Sequence, residues 1–83
     1  MKYKVGDRVR IKSLDWYNNN KDENDKVIIS SLGPVFTRSH SKYAGRIMTI
    51  GIVSKLGFYV LKEDKEGNRW YDEMIEGLVE ETK

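Results

Sequence analysis

His40 is the only histidine among these 83 residues, and it stands between Ser39 and Ser41. A serine nucleophile needs a base within hydrogen-bond reach and a third group to orient that base. Three neighbours on one short turn do not supply that geometry, and a lone imidazole makes no multi-histidine metal site. His40 is therefore expected at the surface. Asp22, Glu23 and Asp25 invite a calcium loop, and a register starting at Asp22 puts Asn24 and Lys26 at its third and fifth positions. That register lacks both the sixth-position glycine and the twelfth-position glutamate, so a solvated loop is the better reading. Asp72 and Glu73 fit the start of a helical turn, where the dipole favours negative charge and Asp72 can cap. There is no cysteine, no glycine-rich phosphate loop and no nucleophile elbow. These residues point to binding without catalysis, metal or cofactor.

Two sets of side chains suit binding. The first is aromatic: Trp16 and Tyr17 early in the chain, Tyr59 in the middle, Trp70 and Tyr71 late. If the early loop and the late turn lie side by side, these rings wall a groove for an extended peptide, and Asp15 meets a basic residue on it. The competing structural role for Trp16 and Trp70 is to plug the ends of a small core. The second set is basic: Arg8, Arg10 and Lys12 on one parity of the first strand, with Arg38, Lys42 and Arg46 further on. Gathered on one face, they would track a phosphate backbone or hold a nucleotide, with Tyr17 or Tyr43 stacking on bases. Their structural role would be a solvated strand face that discourages edge pairing.

Short strands must position both sets. In KYKVGDRVRIK the residues Tyr3, Val5, Val9 and Ile11 share one parity and the cations the other, with Gly6-Asp7 as a bend. This predicts a first strand over 8–12. Residues 13–26, with three consecutive asparagines and mixed charge, read as a long exposed loop. Strands follow at Val27–Ser30 and Arg46–Ser54, where Met48, Ile50 and Ile52 are expected to face one way. FYVLK and RWY supply two more across hairpin loops. Thr37 can cap a helical turn running to Tyr43-Ala44, ended by Gly45. Pro34 marks a turn, and residues 79–83 read as an edge strand or a frayed tail.

The predicted architecture is mostly β: one domain over 1–83, a small five-stranded barrel with one or two short helical turns. Nine aromatics supply much of its core area. The net charge of +2 is unevenly spread. Residues 1–61 carry 11 Lys/Arg against 5 Asp/Glu, and residues 62–83 carry 4 against 8, so the surface is expected to be dipolar. No apolar run reaches the ~18–20 residues needed to cross a membrane, and no signal-peptide pattern opens the chain. A cytoplasmic product is the expectation.

VGDRVRI, followed later by KYAGRIMTI, resembles Src-homology-3-like (SH3-like) and KOW-type barrels, in which a GD-x-V-x-I first strand meets a glycine-initiated strand further on. With WYDEMIEGLVEE, and the first string extended to VGDRVRIKSLDWYN, nearly the whole chain is similar to small barrel proteins of bacteriophages and bacterial mobile elements. That likeness implies a phage-type accessory protein in the host bacterial cytoplasm, binding and inhibiting a host protein, with counter-defence as one form of this. More narrowly, Arg10-x4-Asp15-Trp16-x5-Asp22 is similar to a stretch of Mind-bomb/Herc-type barrels, which bind peptide segments. The chain departs from them where Asn24, Asp25 and Lys26 replace a glycine-rich run.

Overall fold

The computed structural model describes residues 2–31 and 33–79. Six strands form two antiparallel sheets, with little helix. The first strand, β1 (Arg8–Ile11), is followed by helix α1 (Leu14–Asn20), then β2 (Val27–Ile28) and β3 (Val35–Phe36). A short helix α2 (Arg38–Ser41) leads to β4 (Ile47–Val53) and β5 (Tyr59–Leu61). A 3-10 turn (Asp72–Met74) runs directly into β6 (Ile75–Leu78). The larger sheet is open, in the order β5-β4-β1-β6, and β2 pairs with β3 alone. This is the β-rich class expected, with a different strand inventory. RWY contributes one bridge, Tyr59 to Trp70, while β3 and β6 complete the set.

Alternation in β1 works as expected: Val9 and Ile11 are fully buried, Arg8 and Arg10 exposed. Val5 breaks the pattern and is 60% exposed. It sits in a turn closed by Asp7 N–H on the Lys4 carbonyl at 3.0 Å, with Gly6 at φ 94°. In β4, Met48 and Ile50 face the core, yet Ile52 is 56% exposed. A bulge lies between Ile50 and Ile52, so an extra residue reverses the parity and turns Ile52 outward. Gly51 suits that place, because a Cβ there would stand 3.2 Å from the Val60 carbonyl oxygen.

Residues 13–26 are not one long loop. Ser13 caps α1, its Oγ accepting from Trp16 N–H at 3.0 Å, and Asp15 lies in the favourable first turn. The asparagines occupy its end, where Asn20 Nδ2 donates to the Trp16 carbonyl at 2.7 Å. Packing holds this weak helix: Trp16 meets Phe36 edge-on at 5.1 Å and Tyr17 meets it at 5.6 Å. Asp72 is not the cap of the late turn. Tyr71 occupies that position, and the Asp72 carboxylate accepts from the Tyr59 hydroxyl instead. Val79 N–H donates to the Arg8 carbonyl at 2.8 Å, extending the edge beside β1, and the rest of the proposed tail, 80–83, lies outside the described residues.

Candidate functional site

His40 is buried, contrary to its expected surface place. Its ring stacks on Phe36 at 5.2 Å and meets Trp70 edge-on at 4.7 Å. Nδ1 accepts from the Thr37 N–H at 3.0 Å, and Nε2 lies 2.9 Å from the Arg69 carbonyl oxygen. A carbonyl only accepts, so the imidazole is the neutral Nε2–H form. Burial holds its pKa below the ordinary 6.5, against the opposing pull of the Arg69 carbonyl and Asp64. A ring with both nitrogens engaged is a structural fastener between α2 and the segment before the 3-10 turn.

The expected aromatic wall is divided. Trp70 and Tyr59 are fully buried, and Tyr17 is nearly so. Trp70 Nε1 donates to Asp64 at 2.9 Å; Tyr17 donates to the Asp25 carbonyl at 2.6 Å. The Tyr59 hydroxyl donates to Asp72 and accepts from Tyr3 N–H, and burial, then that carboxylate, pushes its pKa up to about 12. These three rings are core and cannot face a ligand. Trp16 is half-buried under the Lys12 ammonium, 5.9 Å from the ring centre, and Asp15 is exposed on α1. Tyr71 is half-buried and packs against Phe58 at 6.4 Å, so it alone of the set lines an open groove.

That groove, about 480 Å³, runs between the turn before β3 and the β4–β5 hairpin. Gly33, Pro34, Val35, Leu56, Arg69 and Tyr71 line it, with His40 at its floor. Leu56 is 79% exposed at the hairpin tip. The tip is fixed by Gly57 N–H on the Ser54 carbonyl at 3.1 Å and Leu56 N–H on Ser54 Oγ at 3.0 Å, with Gly57 at φ 96°. A leucine inside a tight Lys-Leu-Gly turn is the signal that sequence reading passed over.

The cations of the second set are engaged within the fold. Lys12 pairs with Glu76 at 2.8 Å, Lys42 with Glu66 at 3.5 Å, and Arg38 with Asp25. Arg10 donates to the Gly45 carbonyl at 2.9 Å, Arg46 lies over the Tyr43 ring, and Arg8 acts on Glu63. A second concavity of about 410 Å³ contains Arg46 and Lys65, but Glu63 lines it as well. Burial pushes the Glu63 pKa up, yet the Thr49 N–H and hydroxyl, at 2.7 and 2.8 Å, hold it net below the ordinary value. An anionic carboxylate there opposes a phosphate.

Among the described residues no three His, Cys, Asp or Glu side chains gather as metal ligands, and no helix is long and apolar enough to cross a membrane. No protein-family model, curated protein or solved structure matches the chain.

Proposed function

We propose that this chain is a non-enzymatic binding domain that holds an extended segment of a partner protein in the groove between Pro34, Leu56 and Tyr71. The observation that carries this reading is Leu56, a large apolar side chain held out at a fixed turn beside Pro34, Val35 and Tyr71. Covering it removes apolar surface from water at about 25 cal/mol per Å². The turn is already ordered, so little conformational entropy is lost on binding. The engaged nitrogens of His40 support a binding role over a catalytic one.

The SH3-like barrel remains the architecture we propose for the larger class, on the strength of VGDRVRI and KYAGRIMTI, which form β1 and the start of β4. The phage-type setting, with a host protein as the partner that is inhibited, rests on the same resemblance. Nucleic-acid binding is less well supported, because Lys12, Arg38 and Lys42 already have carboxylate partners.

A photo-crosslinking residue placed at position 56 tests the groove, with position 14 as the control because Leu14 is also exposed, on α1. A discrete partner adduct from position 56 and none from 14 is expected. Equal labelling from both positions would count against the groove.

A further inference from the structure

Resting on that groove reading, we infer that the bound segment carries a carboxylate beside its apolar residues, and that Arg69 selects it. Arg69 is fixed at two points. Its carbonyl accepts from His40 at 2.9 Å, and its guanidinium lies over the Phe58 ring at 4.7 Å. The next residue, Trp70, is bonded to Tyr59 in both directions, at 2.7 and 3.0 Å. The guanidinium therefore stands in a set place with one face on a ring and its N–H edges open to an acceptor.

Among the described residues no acceptor takes those N–H groups. Arg38 has Asp25, and Arg10 has the Gly45 carbonyl. Arg46 shares its concavity with Glu63, whereas no carboxylate among the described residues lines the groove around Arg69. Lys55, adjoining Leu56 in the same turn, adds a second exposed cation without an ion pair among the described residues. Pro34, Val35 and Leu56 beside an unanswered guanidinium are complementary to a segment that carries apolar residues and one acid, and guanidinium–carboxylate geometry allows two parallel hydrogen bonds. Extended chains turn alternate side chains to opposite sides, so acid and apolar anchor would be two residues apart.

The carboxylate has two sources, an Asp/Glu side chain or a chain terminus. A random decapeptide library, made in amidated and free-acid forms, distinguishes them when panned over the wild type, Arg69→Glu, Arg69→Gln and Leu56→Asp, each checked for an unchanged unfolding midpoint. The wild type is expected to retain acid-bearing apolar peptides about tenfold better than their Gln counterparts. Arg69→Gln should lose that preference, and Arg69→Glu should turn it towards Lys and Arg. Preference confined to the free-acid form assigns the terminal carboxylate, and preference in the amidated form assigns a side chain. If wild type and Arg69→Glu retain the same peptides while Leu56→Asp retains none, the inference fails and the groove stands. Undiminished retention by Leu56→Asp, or no retention by the wild type, overturns both.

Discussion

The Nε2–H of His40 donates to the carbonyl oxygen of Arg69 at 2.9 Å, joining residues 29 positions apart. Its other nitrogen takes the Thr37 N–H at the start of α2, so one ring closes two backbone groups that would otherwise be stranded beside Phe36 and Trp70. Substituting His40→Ala removes both bonds and leaves a void among rings. A loss of about 2–4 kcal/mol in unfolding free energy is expected, read from urea titration.

The same ring makes stability depend on pH. Its folded-state pKa lies below the ordinary 6.5, because burial disfavours the charged form. Below about 6.5 the unfolded chain takes up a proton that the folded chain refuses, so stability falls with pH until the folded-state value is passed. Urea midpoints should decline from pH 7.5 to 5.5. His40 is the sole histidine, so the His40→Gln chain should show a much flatter profile in that window.

Asp64 organises the loop that carries the chain from β5 to Trp70. Its carboxylate accepts from Glu66 N–H at 2.9 Å, Asn68 N–H at 2.8 Å and Trp70 Nε1–H at 2.9 Å. Burial raises its pKa, but the Trp70 bond and then the loop amides hold it net below the usual carboxylate value. Asp64→Ala should cost about 1–3 kcal/mol. Its signature would be faster solvent exchange of the Trp70 indole N–H, measured by NMR.

Two glycines should answer unequally to alanine. At Gly51 the new Cβ meets the Val60 carbonyl oxygen at 3.2 Å and Lys62 Cγ at 3.1 Å. Backbone on one side cannot yield easily, so about 1–2 kcal/mol of destabilisation is expected. At Gly77 nothing lies within 4 Å, and alanine should change stability by less than about 0.5 kcal/mol. Paired thermal or urea unfolding of both variants checks the contrast.

Leu56→Asp separates binding from folding. The side chain is 79% exposed, so the unfolding free energy should move by less than about 0.5 kcal/mol. Retention of the acid-bearing apolar peptides should nonetheless disappear.

Much of the fold is written in local patterns. The parity of Val9 and Ile11, the apolar run through β4 and the cap at Thr37 all rest on residues close in sequence, although α2 ends at Ser41 with Lys42 as its C-cap, short of the expected Tyr43-Ala44 and Gly45. What is missed depends on distant partners. Helix α1 forms from an asparagine-rich segment because Phe36 receives Trp16 and Tyr17. Ile52 faces out because of a bulge against β5, which no alternation rule contains. His40 reads as polar surface between two serines until Arg69 supplies its acceptor. The groove is likewise a juxtaposition: Tyr71 was legible, while Pro34, Leu56 and Arg69 gain meaning only when two hairpins meet.

Strand β1 lies between β4 and β6, with Val9 opposite Met48 on one side and Leu78 on the other. Among the described residues, the earliest strand is thus completed by the latest. During synthesis, one edge of β1 must wait unpaired until Leu78 has left the ribosome, and its pairing closes the longest loops of the fold. A stalled chain ending before β6 would display that edge, with Val9 and Ile11 beside it, as a template for other strands. The order β5-β4-β1-β6 therefore leaves the covering of that edge to a strand synthesised long after β1.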